Sequence, residues 1–338
     1  MNSSMKEALF YKKNDSKIRC VLCPRQCTIE EGETGFCGVR KNISGSLYSL
    51  VYGKACSVSV DPIEKKPFFH FAPGSQTLSI ATVGCTLRCR FCQNWEISQA
   101  KEIFGQSLSP EEIIKLAEGV HGISWTYTEP TVFYEYFHDT AGLSENLYNT
   151  WVSNGYTNPE PIKKAAKFLD AVNVDYKGPE SFYENLCDAK LEPVRTAFKE
   201  WKKAGVWLEV TNLLIPGHND SEEQVREMCS WLIDAVGQVP LHFSRFFPAY
   251  KLADTNPTSM KKLEMAVKIA KEAGFHYVYM GNVQNTNENT YCHNCRELII
   301  ERFGYDVAKI SLAEKNRCPA CGTKIPLAGM RWSPLIKE

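Results

Sequence analysis

TLSIATVGCTLRCRFCQNW, residues 77–95, decides how this chain folds and what it can carry. Thr77–Val83 is a strand-like run, and it leads straight into Cys85, Cys89 and Cys92 in the spacing Cys-x3-Cys-x2-Cys. Three thiolates on one short loop can hold three irons of a [4Fe–4S] cube, which normally takes four cysteines. One iron is then left open, and an open metal position is where chemistry takes place. Half of a zinc site is the plainer alternative, but a strand feeding a loop is the setting an open cluster needs.

Outward from this loop, short apolar runs bounded by turn residues predict further strands. They are Gly122–Thr128, Thr150–Ser153, Ala171–Tyr176, Val206–Ile215, Leu241–Phe247 and His276–Met280. Helix starts fall between them. Ser109-Pro110-Glu111-Glu112 offers an N-cap, a proline at N1 and acids in the first turn. Pro159-Glu160 and Asp220-Ser221-Glu222-Glu223 open two more, and Lys261–Ala273 reads as a fourth. The alternation predicts a parallel sheet with crossover helices. Six or seven units are too few to close an eight-stranded barrel, so a partial barrel open on one side is expected. Its site would lie at the C-terminal strand ends, where the cysteine loop already stands.

The chain has 338 residues, 43% of them hydrophobic, enough for one large α/β core with appendages. Lys+Arg and Asp+Glu both number 39, which gives no bulk attraction to nucleic acid or an anionic membrane. Met1–Lys13 is polar and is not read as a signal peptide, and no run approaches a membrane span. The 14 cysteines are clustered in a manner that suits metals better than disulfides, so the reducing cytoplasm is the expected compartment. Three segments follow: a Cys-rich leader (1–74), the α/β body (75–285) and a terminal module (286–338).

The loop resembles the cluster-binding loop of the radical S-adenosylmethionine (SAM) superfamily, with Phe91 at the aromatic position before the last cysteine. The resemblance implies a partial (β/α)6 TIM-type barrel, an oxygen-sensitive [4Fe–4S] cluster on Cys85, Cys89 and Cys92, and SAM on the open iron. One electron would then break a carbon–sulfur bond and give a 5′-deoxyadenosyl radical. It also implies SAM contacts at later strand ends. Thr126-Tyr127-Thr128-Glu129-Pro130 resembles the Gly-Gly-Glu-Pro motif of radical SAM activases, with Tyr127 and Thr128 in place of the glycines. Ser153-Asn154-Gly155 resembles an Asn-Gly motif, and Asp175-Tyr176-Lys177 an Asp-x-Lys motif whose lysine can pair with a carboxylate. Leu214–Asp220 resembles the Pro-Gly-x-x-Asp turn on the adenine side. Phe91, Glu129, Asn154, Asp175 and Lys177 are the candidate cofactor contacts. Without the loop, Glu129 reads as an ordinary strand-end acid, Lys177 as a solvated lysine and Pro216-Gly217 as a plain turn.

Asp61–Pro67, Phe71-x-Pro73-Gly74, Cys92–Ser98 and the leader together resemble the radical SAM protein of the AmmeMemoRadiSam system, a relative of pyruvate formate-lyase activases. Ammecr-like and Memo-like proteins are then implied partners, beside an electron donor. Taken alone, Asp61–Pro67 reads equally as a charged connector.

Two further cysteine sets remain. Cys20, Cys23, Cys27 and Cys37 in the leader can close a site, as structural zinc or as a second Fe–S cluster. Cys292-x2-Cys295 and Cys318-x2-Cys321 are paired knuckles, which predict a zinc-ribbon or rubredoxin-like module holding zinc or iron. Cys56, Cys187 and Cys229 read as buried inert thiols, and His218 and His242 as structural histidines. Trp125, Tyr127, Phe133, Tyr134 and Tyr136 are expected to line the barrel. The expected function is a radical SAM enzyme that takes a hydrogen atom from a substrate. A glycyl-radical-enzyme activase is the narrower rival, and a zinc-ribbon RNA- or protein-binding or RNA-modifying module is the alternative of another class.

Overall fold

The computed structural model describes residues 5–14, 17–283 and 288–336. The expected boundary at 285/286 lies outside the described residues. Eight strands form the central sheet: β1 (Ser57–Pro62), β2 (Gln76–Ala81), β3 (Gly122–Trp125), β4 (Tyr148–Ser153), β5 (Ala171–Asp175), β6 (Trp207–Leu214), β7 (Leu241–Arg245) and β8 (Val278–Gly281). They lie in chain order, β1 to β8. Strands β2 to β8 run parallel, so there are seven such strands, one more than the (β/α)6 expectation. β1 adds an antiparallel edge that the sequence reading missed. The two outer strands do not pair with each other among the described residues.

The connecting helices are α1 (Pro110–Leu116), α2 (Tyr134–Ala141), α3 (Pro159–Ala165), α4 (Leu191–Ala204), α5 (Glu222–Val236) and α6 (Met260–Glu272). Their starts follow from local chemistry. Ser109 accepts from the Glu112 N–H while Glu112 reaches back to the Ser109 N–H, so two orphan donors are satisfied. Ser221 and Gln224 do the same for α5. Gly205, at φ +76, ends α4 in the left-handed conformation that glycine adopts without strain.

Strand registers sort the side chains into two faces. Trp125, Trp151, Val172 and Val210 point toward the helices. There Trp125 packs on Tyr136 and Phe137, and Trp151 on Trp201. Trp125, Phe133, Tyr134 and Tyr136 therefore belong to this outer layer and do not line the interior. Tyr127 alone of that set does. The other face is polar: Thr77, Ser124 and Thr150 hydroxyls bond across β2, β3 and β4 at 2.8 and 2.7 Å. Thr211 donates to Asn173, and His242 pairs with Glu209 at 2.8 Å.

A segment after β1 closes this polar face. The Asn173 amide donates to Pro67 O at 2.7 Å, and Glu209 accepts from the Phe69 and His70 N–H groups at 3.0 and 2.8 Å. Asp61, Glu64 and Lys66 are buried here, so the run is an interior element and not a charged connector. Their charges are compensated locally. Lys65 and Lys66 both donate to Asp61, and Glu64 pairs with Arg302.

Arg302 belongs to the C-terminal antiparallel sheet (Thr290–Tyr291, Leu298–Phe303, Asp306–Ile310) and donates to Phe69 O at 2.6 Å. The His70 Nδ1–H donates to Pro326 O at 2.7 Å, which leaves Nε2 to accept from Tyr279 OH at 2.6 Å. Burial pushes the His70 ring down from 6.5 to about 4. As pH falls below 6.5 the unfolded chain gains a proton the native state refuses, so stability present at neutral pH drains away toward pH 4. The expected loss at pH 5 is about 2 kcal/mol. Urea titrations at pH 7 and 5 check it. A slope left unchanged in His70→Gln would assign the loss elsewhere.

The leader carries two small antiparallel sheets, Lys6–Glu7 with Ser46–Ser49 and Arg40–Ile43, and Tyr11–Asn14 with Lys17–Cys20 and Thr28–Ile29. No helix among the described residues is long and apolar enough to cross a membrane.

Candidate active site

Gly84 to Trp95 leaves β2 and folds into a loop fixed on several sides. The Arg88 and Arg90 N–H groups donate to Cys187 O and Leu186 O at 3.0 and 2.8 Å, and the Lys251 N–H donates to Arg90 O. The Asn94 side chain donates to Tyr127 O at 2.8 Å. Gly84 sits at φ +100, where an added Cβ would stand 3.0 Å from Cys37 O and closer still to Val39. The leader therefore presses on the loop, and only glycine fits.

Cys85, Cys89 and Cys92 open onto one cavity of about 280 Å³ at the C-terminal ends of the parallel strands. The same cavity is lined by Phe91, Glu129, Asn154, Asp175 and Lys177, so all five candidate contacts converge with the three thiols. Burial pushes the Cys85 and Cys92 thiols up, and the Cys187 side chain, with burial, pushes up Cys89. Cofactor metal would bind them as thiolates, with release of protons. Their sulfurs are not drawn together for one ion: among the described residues, only the C-terminal quartet has three or more ligand atoms all within 4.8 Å. Thiols that face one cavity at wider spacing fit a cluster, in which each sulfur takes its own iron.

The remaining contacts divide by what is left free. Glu129 is buried, and burial raises its carboxyl. It accepts from the Thr131 N–H (3.1 Å), the Thr131 hydroxyl (2.6 Å), the Ser153 hydroxyl (2.9 Å) and the Asn154 N–H (2.8 Å). About four lone-pair positions are all a carboxylate has. Glu129 thus ties the ends of β3 and β4 together; three of the four bonds fall on Oε1, and Oε2, with one, keeps an acceptor position at the cavity. The Asn154 amide donates to Thr86 Oγ1 at 3.1 Å and reaches Cys85 Sγ at 3.5 Å. Lys177 Nζ donates to Asp175 Oδ2 at 2.6 Å. Burial works against the ammonium, but Asp175 and the Cys89 and Cys187 sulfurs hold its proton well above the usual lysine range. A cation and a carboxylate side by side suit a zwitterionic ligand group. The Leu214–Asp220 turn does not line the cavity. Asn219 ties it to the site by donating to Lys177 O.

Sequence reasoning passed over the opposite wall. Lys65, Lys66 and Tyr127 line it, with Asp61 behind. Tyr127 stands at a glycine position of the Gly-Gly-Glu-Pro motif that the run resembles, and takes the conformation glycine favours, φ +63. Its hydroxyl donates to Asp61 Oδ2 at 2.5 Å and meets Ser59 Oγ at 3.0 Å, while Lys66 Nζ lies 4.0 Å from its ring centre. Burial would raise the Asp61 carboxyl, but hydrogen bonds from Lys65, Lys66 and Tyr127 hold it well below the usual carboxylate range. Tyr127→Phe is expected to cost about 1 kcal/mol, the worth of a hydrogen bond to a charged group offset by the two lysines that stay. A urea midpoint unchanged in that variant would show the hydroxyl does not hold the strained residue. The signal in the sequence was the Asp61–Pro67 run itself, whose charges look solvated.

Of the three spare cysteines, Cys229 is buried in α5 and Cys56 half-buried. Cys187 is buried against Cys89, whose thiol it pushes up, so it borders the site. His242 is buried on Glu209, as a structural histidine would be.

In the terminal module, Cys292 and Cys321 sulfurs stand 3.7 Å apart and Cys295 and Cys318 sulfurs 3.5 Å. One tetrahedral ion with bonds near 2.3 Å sets its sulfurs about 3.8 Å apart. This quartet has the dimensions of a mononuclear metal site.

The Radical SAM superfamily profile matches residues 79–232. The uncharacterized protein MJ0808 of Methanocaldococcus jannaschii is 49% identical over 333 residues, 96% of this chain and 99% of its own. The uncharacterized protein MJ0674 of the same organism is 24% identical, over 77% of this chain and 76% of its own. Among solved structures, a radical SAM methyltransferase from Sphaerobacter thermophilus is similar at 17% identity and a TM-score of 0.49, over 62% of this chain and 66% of that one.

Proposed function

Because this chain belongs to the radical SAM superfamily and is an enzyme of it, we propose that it cleaves SAM reductively and abstracts a hydrogen atom from a substrate held in the cavity beside Cys85, Cys89 and Cys92. The observation that carries the reading is the convergence of three widely set thiols with the Asp175–Lys177 pair and Asn154 in one cavity. The cluster and SAM, when bound, supply the electron and the reactive 5′-deoxyadenosyl group. The chain's own residues do the rest. Cys85, Cys89 and Cys92 would hold the cluster and leave one iron open. Asp175 and Lys177 would take the charged methionine end of SAM, and Phe91 would wall the cluster from water. Glu129 keeps two strand ends in register so that Asn154 stays on Cys85.

The finer assignment is the AmmeMemoRadiSam system, with the sheet as the superfamily's partial barrel and the C-terminal quartet as a zinc ribbon. The leader cysteines and the Asp61–Pro67 run support it. Ammecr-like and Memo-like proteins are its proposed partners, with a one-electron donor protein, and co-purification with each tests this. For the activity, protein reconstituted anaerobically with iron and sulfide is mixed with dithionite and SAM. It should release 5′-deoxyadenosine and methionine. A fully loaded, reduced sample that releases neither overturns the proposal.

A further inference from the structure

The leader cysteines Cys20, Cys23, Cys27 and Cys37 surround a single small cavity. Cys20 ends a strand, and its N–H donates to Cys27 O at 2.9 Å. The Phe36 N–H points at Cys27 Sγ from 3.4 Å. The rest of the wall is apolar (Leu22, Ile29, Val132), with Arg25 and Arg40 as its two cations. Such a pocket excludes water, and the Arg40 charge is already met by Glu135.

The spacing of the sulfurs decides which group. The C-terminal quartet shows what this chain does for one ion, with all four sulfurs within 4.8 Å. In the leader no three of the four sulfurs are that close. Four thiols that share a cavity but stand too wide for one tetrahedral ion match ligands on separate irons. We propose that Cys20, Cys23, Cys27 and Cys37 hold a second iron–sulfur cluster, closed by four protein ligands, and not zinc.

The cavity's inner wall is Thr86, the residue next to Cys85. Arg25 Nε donates to Thr86 O at 2.9 Å, and Arg88 reaches across to Phe36 O. The leader group therefore sits directly behind the loop that carries the first cluster. The two cavities do not share a sulfur, so each can be emptied without touching the other's ligands.

The test uses the full chain. Wild-type protein and the Cys85→Ala/Cys89→Ala/Cys92→Ala variant are reconstituted anaerobically with iron and sulfide, and iron, inorganic sulfide and zinc are measured on each. The variant should keep about two to four inorganic sulfides per chain, with an electron spin resonance signal after dithionite. Adding Cys23→Ser and Cys37→Ser should remove both. A variant without sulfide overturns the proposal when the wild type holds a single cluster. So does a wild type with one cluster and two zinc ions. The wild-type metal count alone decides the matter if a variant fails to fold. Sulfide retained by the variant, in a protein whose wild type forms no 5′-deoxyadenosine, would leave the second cluster standing and sink only the proposed activity.

Discussion

Replacing any one of Cys85, Cys89 or Cys92 with alanine is expected to cut 5′-deoxyadenosine formation by at least about 10³-fold, roughly 4 kcal/mol of barrier. The three thiols line one cavity, and the loop is bonded to its neighbours through the Arg88 and Arg90 backbone and the Asn94 side chain. Two remaining sulfurs cannot hold a cluster at a site that starts one ligand short. The matched control is Cys229→Ala. That thiol is buried in α5 and does not line the cavity. It should change product formation by no more than about twofold, since its effect is a small cavity remote from the site. Product formed at the wild-type rate by a loop variant would remove the thiols from the reaction. Equal losses in the control would show that the assay reads folding.

The second large effect concerns stability. Arg40 and Glu135 form a pair that is almost completely buried, with Arg40 Nη1 donating to both carboxylate oxygens at 2.9 and 3.0 Å. Glu135 also accepts from the Leu9 N–H at 2.8 Å, and Arg40 Nη2 donates to Leu9 O. Arg40→Met keeps the side-chain volume but strands the carboxylate in the core. The expected cost is about 3–5 kcal/mol, because an uncompensated buried charge is what such a variant leaves behind. Adding Glu135→Leu should return most of it, since apolar pairs often replace buried ion pairs without loss. Urea midpoints of the single and double variants measure both. A single variant that loses less than about 1 kcal/mol would mean that water reaches Glu135.

The parallel strands were legible because each is an apolar run closed by turn residues, a pattern that a sheet buried on both faces imposes. Their C-terminal ends were less so. Gly122–Thr128 was read as continuous, but the strand ends at Trp125 because Tyr127 turns left-handed, and an aromatic residue gives no sign of that. The polar inner face was hidden for a related reason. Asp61, Glu64, Lys65 and Lys66 look solvated one by one, and only their mutual pairing, with Arg302 from 238 residues further on, lets most of them go inside. Periodicity carries no information about such distant partners. The cysteine sets were plain as spacing. Which of them gathers around one ion could be seen only in space.

The latch between Phe69–His70 and the terminal module has a consequence for biosynthesis. Phe69 O waits for Arg302, and the His70 ring waits for Pro326. A nascent chain emerging from the ribosome can pair β2 to β7 early, yet the segment that closes the polar face stays unlatched until Arg302 and Pro326 have been made. Assembly of the pocket is thereby tied to synthesis of the terminal module, and a chain stopped before Arg302 would expose Glu64 and the backbone around it without partners.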